Sequence, residues 1–438
     1  MQSNDFWLDY FEENPLADDL ADDIRLSGAD SRFSRPDWHL LMTPVVYPDI
    51  SVKKQTKILH ELFNLIRNLH NIAFDGEMDA FANALGFSDE RVISVMEQLR
   101  DVNGIIPCRW DILDDGNHWK VMEVNVGGAI GGFAYDGIQA LYDQALENEK
   151  DEDSAIKINE LWQSPYSHIC PAVAQKLASL NNPKLVVVDD FIQFKDSPLV
   201  ANSAAGALST HLDIEVSTIP HNELQNVLAS HTGDIAVFEV FTLSDMAKDL
   251  DGYSGYLSGL KSGKIHSIIH PFSELYMSKA ALAILHQDDV LASVSEQERQ
   301  IIEASVPKTY TVGEPNLSQL LTLNKKDWVL KSAIGYGGHG VTCGWECDED
   351  TWHQILSDAA SPNSPLFILQ KRVVGKRHPA ISMTPKGVFV ESDEAMVLGV
   401  FMLNDLFGGG CVRQSLSGKG VICTANHAAL GVMRVQRN

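Results

Sequence analysis

The chain is poor in cysteine, poor in basic charge and without any long apolar run, and each scarcity removes a class of function. Six cysteines stand at Cys108, Cys170, Cys343, Cys347, Cys411 and Cys423. None forms a Cys-x-x-Cys pair. Cys343 and Cys347 have no histidine or further cysteine at zinc spacing. Neither a disulfide framework nor a structural zinc module is expected, and reduced thiols in a cytoplasmic setting are. Lysine and arginine number 34 against 59 acidic residues, a formal charge of −25. A nucleic-acid or anionic-membrane surface needs a basic footprint, so the charge argues against both partners. It does not exclude a nucleotide, because charges farther apart than about 8 Å are largely screened at physiological salt. The N-terminal stretch is acidic and lacks the charged-then-apolar pattern of a secretory signal. No apolar run approaches the ~20 residues of a membrane span. There is no internal repeat, no low-complexity tract and no Gly-x-Ser-x-Gly elbow, and no cysteine stands in a recognisable catalytic context, so no nucleophile triad is expected.

What remains is an ordinary globular composition, 45% hydrophobic, in 438 residues. That length predicts two or three domains or lobes. Residues 1–50, punctuated by Pro15, Pro36, Pro44 and Pro48, read as an irregular lead-in with short helices. From 52 to 100, Ile58, Leu59, Leu62, Leu65, Ile66 and Leu69 recur at helical spacing. Residues 105–111 and 119–126 read as strands joined by the turn Asp114-Asp115-Gly116-Asn117. A polar stretch at 147–154 marks a boundary. Strand-like runs at 185–189, 214–219, 234–241 and 265–270 alternate with helical segments, the pattern of a small parallel sheet. That sheet has no Gly-x-Gly-x-x-Gly after its first strand, so it is not read as a dinucleotide fold. A helix is expected over 272–286, strands over 328–333, 341–345 and 367–373, and a further pair at 397–403 and 410–416.

Two motifs carry chemistry. The first is Arg109-Trp110-Asp111 followed by Glu123-Val124-Asn125. Alternate residues of a strand share a face, so Arg109 projects with Asp111, and Glu123 with Asn125. Asp111, Glu123 and Asn125 are hard oxygen donors of the kind Mg²⁺ takes beside phosphates. Two carboxylates on neighbouring strands repel unless a cation sits between them. The plain alternative is a polar hairpin edge. The second motif is Lys331 followed by Gly335-Tyr336-Gly337-Gly338-His339-Gly340. No helix follows, as a dinucleotide fold would need, and no Gly-Lys-Ser/Thr ends it, as a P-loop would. The remaining reading is a mobile glycine loop between antiparallel strands, its N–H groups closing over phosphates, with Lys331 as a point charge. Here the alternative is a surface hairpin. Lys279 reads as a second phosphate lysine or as a solvated helix face. Gln370, Lys371 and Val373 close an apolar strand and read as an adenine hinge or as an ordinary strand end. Arg413, expected on a strand after a flexible loop at 408–410, reads as a charge stabiliser or as a surface arginine. His339 reads as a loop-tip residue.

With these residues in view, the chain resembles the circularly permuted ATP-grasp ligases of the glutathionylspermidine synthetase-like kind. The resemblance spans roughly residues 100–430 and lies in the order and spacing of motifs, with the Glu123-x-Asn125 pair before the glycine loop. It departs from that pattern at 126–132, where glycines replace a small polar clamp, and it lacks an amidase-like domain and an acidic ribose contact. The resemblance implies an α/β (α+β) ATP-grasp architecture in permuted order. Residues 1–150 would hold a helical lead-in and the metal-binding part of the catalytic sheet, 151–271 a small parallel-sheet pre-ATP-grasp domain, 272–378 the ATP-binding lid, and 379–438 the return to the catalytic sheet. It implies ATP and Mg²⁺, with Asp111, Glu123 and Asn125 as metal ligands and Arg109 and Arg413 as catalytic residues. Lys279, Lys331, the loop Gly335 to Gly340 (Tyr336 and His339 included), Gln370, Lys371 and Val373 would hold the nucleotide. The implied activity is amide-bond formation between a small-molecule or peptide carboxylate and an amine acceptor through an acyl phosphate. A carrier-protein-bound substrate stays open, and a homodimer is the default expectation. The alternatives are a catalytically idle binding protein of the same fold and a phosphotransferase that stops at a phosphorylated product.

Overall fold

The computed structural model describes residues 38–131, 135, 139, 160–335, 337–416, 418, 420–423 and 426–436. Residues 1–37, the polar stretch at 147–154 and Tyr336 lie outside the described residues. Strands β1 (His39–Leu41) and β2 (Val45–Pro48) open the described chain. Both pair in parallel with the last strand of the chain, so 39–48 is not the irregular lead-in the prolines suggest. Pairing with a distant partner leaves no local periodicity to read. Helix α1 (Asp49–Phe74) follows, then α2 (Met78–Ala84) and α3 (Glu90–Leu99). The α1 stripe Leu59, Leu62, Leu65, Ile66 and Leu69 is buried, as its spacing predicts.

Strands β3 (Pro107–Asp114) and β4 (Trp119–Val126) form the expected hairpin, the first reaching Asp114 rather than ending at Asp111. Asp111 pairs with Glu123 and Arg109 with Asn125, but Ile112 pairs with Val121. Met122 is therefore the extra residue of a β-bulge. After β5 (Glu160–Leu161), strands β6 (Lys184–Asp189), β7 (Ser217–Pro220), β8 (Ile235–Glu239) and β9 (Ile265–Ser267) form a parallel sheet in the order β7-β6-β8-β9. Val186, Val187, Val188 and Val237 are fully buried on both its faces, as helix-covered parallel sheets require.

The helix expected over 272–286 is broken. A 3₁₀ segment, Pro271–Met277, precedes extended Ser278, and a short helix, Ala280–Ile284, follows. The Ser278 hydroxyl donates to the Leu85 carbonyl at 2.7 Å, a tertiary bond that competes with helix continuation. Strands β10 (Thr309–Val312), β11 (Trp328–Ser332), β12 (Val341–Cys343) and β13 (Phe367–Lys371) make an antiparallel sheet in the order β10-β13-β11-β12. One face packs Trp328, Leu330 and Leu369 on Trp352 and Leu356 of the helix Glu349–Ala359. The other face looks into the interior of the molecule.

Strands β14 (Arg377–Met383), β15 (Phe389–Leu403), β16 (Leu406–Gln414) and β17 (Ala429–Gln436) return to the large sheet. Among the described residues it has nine strands, β14-β1-β17-β16-β15-β3-β4 with β2 and β5 on β17, and β14 also pairs with β15. The glycines at 408–410 are not a loop. They lie within β16, pressed against His168, the Gln163 carbonyl and Met433. The early carboxylate hairpin thus joins the late strands through β3 and β15.

Candidate active site

The three sheets face a common cavity of about 1150 Å³. Arg109, Asp111, Glu123, Asn125, Lys279, Lys331, Gly335, Gly337, Gly338, His339, Gln370, Lys371, Val373 and Arg413 all line it. Gly340 is not on its wall. Residues from four distant parts of the chain meet there, although the whole molecule is acidic.

The hairpin register puts Asp111 on the cavity face with Glu123 opposite. Each acid has its own cationic partner. Asp111 Oδ1 accepts from Arg109 Nε at 3.0 Å, and Oδ2 lies 2.6 Å from Arg413 Nη2. Burial alone would raise this carboxyl. The charges of Arg109 and Arg413 overturn that and hold it well below the usual carboxylate range. Glu123 Oε2 sits 3.1 Å from Lys279 Nζ. The two acids therefore do not need a metal between them, and Asp111 is spent on guanidiniums. Among the described residues, no group of three His, Cys, Asp or Glu side chains is placed to hold a metal ion. Glu123 and Asn125 still share a strand face, and Asn125 Nδ2 is buried without a hydrogen-bond partner among the described residues. With the amide turned, its oxygen would face the cavity. This pair fits a hard cation held chiefly by phosphate oxygens and water.

The arginines differ. Arg109 gives Nε and Nη2 to Asp111 and Nη1 to the Ile130 carbonyl. Arg413 Nε is buried and has no partner among the described residues. Arg109 is a strut between the hairpin and the 127–131 loop, and Arg413 is the one with a donor to spare.

Lys331 is 9% exposed. Its Nζ donates to Gln370 Oε1 at 2.7 Å and to the Met122 carbonyl at 3.3 Å, the latter a group the bulge frees from the β3 ladder. Burial lowers its pKa to about 8, with Glu123 pulling it back up and Lys279 pushing it down. Lys279 is buried at the helix break and is no solvated face. Its backbone N–H donates to the Ala333 carbonyl and its Nζ to the Gly335 carbonyl at 3.0 Å, tying it to the root of the glycine loop.

In the loop, Gly338 has φ +81°, and a Cβ there would stand 2.9 Å from Val421 Cγ1. Only glycine fits. His339 is exposed at the tip. Val421 lies between β16 and β17 in sequence, and beside it Gly420 N–H donates to Glu346 Oε1 at 2.7 Å. At the hinge, the backbone N–H groups of Lys371 and Arg372 are given to the Lys308 and Asp327 carbonyls. The Arg372 guanidinium lies 3.9 Å from the Trp345 ring centre.

Sequence reasoning missed the acidic wall of the cavity. Asp189, Glu239, Asp245 and Glu274 line it from the carboxyl ends of the parallel strands and the segments after them. Burial pushes Glu239 and Glu274 up to about 7 and Asp189 up to about 6. The rule that open parallel sheets bind ligands beyond their carboxyl ends would have found Asp189 and Glu239. Nothing local marks Gly420 or Val421.

No family model matches the chain, and no curated protein matches it. Among solved structures, it is similar to a glutathione synthetase-like effector from Globodera pallida in its apo form. The TM-score is 0.55 at 14% identity, over 91% of this chain and 87% of that one. It is also similar to a protein of Methylobacillus flagellatus named as a candidate gamma-glutamylcysteine synthetase. There the TM-score is 0.40 at 12% identity, over 90% of this chain and 89% of that one, too weak a likeness to argue from. The first likeness shows the fold: a mixed α+β, ATP-grasp-like architecture with a small parallel sheet beside the two other sheets. Among the described residues no helix is long and apolar enough to cross a membrane.

Proposed function

We propose that the protein is an ATP-dependent ligase joining a carboxylate to an amine. The observation that carries this reading is the convergence of two buried lysines, the glycine loop and Arg413, with its unpartnered Nε, on the Glu123–Asn125 face of one cavity. Lys279 and Lys331 bind phosphate oxygens, and the loop from Gly335 to Gly340 folds over them. Adenine lies against the 373–375 stretch, since the N–H groups before it are already bonded. Glu123 and Asn125 would hold Mg²⁺, which would supply charge neutralisation at the phosphates. The carboxylate of the first substrate attacks the γ-phosphorus of ATP, and ADP leaves with the bond pair, giving an acyl phosphate. Arg413 neutralises the transferring group, and phosphoryl transfer of this kind is mostly positioning and charge compensation. The amine then attacks the acyl carbon and loses a proton, and inorganic phosphate departs from the amide. The closed loop keeps water from taking the amine's place. The donor is a small-molecule or peptide carboxylate.

A specific observation favours a second reading, a nucleotide-binding protein without turnover. Asp111, implied as a metal ligand, is engaged by two arginines. One experiment separates the two: Mg-ATP-dependent hydroxamate formation with hydroxylamine and pooled amino acids, small peptides and other carboxylates. A signal lost in Glu123→Ala and Lys331→Ala supports the ligase. Mg-ATP binding by calorimetry, with no hydroxamate from any pool, supports the second reading. Undiminished turnover in either variant removes that residue from the mechanism.

A further inference from the structure

Gln370 is the penultimate residue of the strand that, from sequence, reads as an adenine hinge. Its side chain does not face a base. It is 1% exposed and both of its polar atoms are bonded inside the sheet. Thr309, Gln370 and Val329 sit in register across β10, β13 and β11. Lys331 is two residues on from Val329, so it is the diagonal neighbour of Gln370 on the cavity face. Cβ atoms in that relation stand about 7 Å apart, within reach of two long side chains.

The bonds run in one direction. The Thr309 hydroxyl donates to the Pro307 carbonyl at 2.7 Å, so its oxygen is left to accept. Gln370 Nε2 donates to that oxygen at 3.4 Å. The amide is thereby oriented, and Oε1 must point the other way, at Lys331 Nζ, 2.7 Å off. The Met122 carbonyl takes a second ammonium proton. An ammonium has three donors. Two are taken up, one by an amide that Thr309 orients and one by a backbone carbonyl at the bulge, which leaves the third for the cavity.

We propose that Gln370 is a positioning residue for Lys331, aiming its third donor at the phosphate end of the cavity. This rests on the ligase reading for what Lys331 binds, but not for how it is held. The charged and titratable groups facing the ammonium are Glu123 on β4, Asp111 on β3, Lys279 at the helix break and Cys343 on β12. None of them is altered by a change at Gln370. An oxygen acceptor favours the charged amine, a carboxylate favours it more, and a hydrocarbon not at all.

The test is acylation of the full-length protein with acetic anhydride, read at Lys331 by peptide mass spectrometry across about pH 6.5 to about pH 9.5, with and without Mg-ATP. In the native protein without nucleotide, the Lys331 midpoint is expected at about 8. Gln370→Leu should lower it, making Lys331 about threefold more reactive near neutral pH, and Gln370→Glu should raise it, with reactivity down about tenfold. A side chain that merely fills space would not move the midpoint in opposite directions. Thr309→Val, which leaves Gln370 in place but frees its amide to turn, should fall between native and Gln370→Leu. It also serves if Gln370→Leu does not fold. Equal midpoints in native, Gln370→Glu and Thr309→Val proteins overturn the proposal. The Mg-ATP arm is separate. Protection of Lys331 by the nucleotide supports its phosphate role. Absence of protection, with the opposite midpoint shifts retained, overturns the ligase reading and leaves the positioning role standing.

Discussion

At the residue scale the centre of the site is Asp111, 3% exposed between two guanidiniums. One negative charge holds two positive ones, and Arg109 and Arg413 keep their geometry only while it is there. Removing one member of a buried ionic group leaves the rest uncompensated. Asp111→Asn is expected to cost about 3 kcal/mol of stability in urea unfolding. A loss below about 1 kcal/mol would mean that the arginines find other partners. The sequence shows Asp111 and Arg109 as strand neighbours. It does not show that Arg413, some three hundred residues later, claims the second oxygen. The metal assignment read from sequence rests on residue type and strand-face alternation, and neither reveals which neighbour arrives first.

At the element scale two strand ends matter. The β4 bulge turns the Met122 carbonyl toward Lys331. The end of β8 buries Glu239, whose Oε1 accepts from the Tyr256 hydroxyl and whose Oε2 accepts from the Ile269 N–H at 2.8 Å. Those bonds favour the carboxylate, yet burial outweighs them and pushes its pKa up to about 7, as it does for Glu274. A carboxyl with a raised folded-state pKa binds a proton that the unfolded chain releases. Its contribution is therefore fully present below the unfolded value and lost as pH rises through about 7. The melting temperature should fall by about a few degrees between about pH 5.5 and about pH 8. Glu239→Gln combined with Glu274→Gln should flatten that slope in a calorimetric pH series. Asp189, pushed up to about 6, adds a fall of the same sign. His168 and His270, held down to about 4 by burial, oppose it below about pH 6.5, so the double variant acts chiefly above that. Asp111, held low, adds a loss only at strongly acid pH, and Lys331 titrates at the upper edge of the window. An unchanged slope in the double variant would place the pH response elsewhere.

At the scale of the whole molecule, Gly420 and Val421 act as a strap. Coming after β16 of the large sheet, they lie against Cys343 of the antiparallel sheet and the adjoining Trp345 and Glu346, with Val421 on the glycine loop. A Cβ at Gly420 would stand 2.6 Å from Cys343 Sγ and press on the Trp345 ring. Gly420→Val should push the strap off and release the loop. The expected result is about tenfold weaker Mg-ATP affinity by calorimetry, with unfolding stability changed by less than about 1 kcal/mol, since surface substitutions away from the core cost little. Unaltered affinity would show that the strap does not hold the glycine loop.

The sequence alone determined whatever depends on near neighbours. The α1 stripe, the Asp114–Asn117 turn, the four strands of the parallel sheet and the Lys331–glycine loop order follow from side-chain period, turn chemistry and spacing, which act within a few residues. The set of residues that would meet at one cavity was largely legible too, because alternation along β3 and β4 sets which side chains share a face. Tertiary structure decided the rest. β1 and β2 form only on partners remote in sequence, β17 for both and β14 for β1. The helix at 272–286 breaks because Ser278 finds Leu85. Lys331 is buried, half-titrated near pH 8 and held by Gln370 because three strands bring an amide, a bulged carbonyl and two carboxylates around it. Those effects scale with desolvation and distance, and both are set only when remote segments pack.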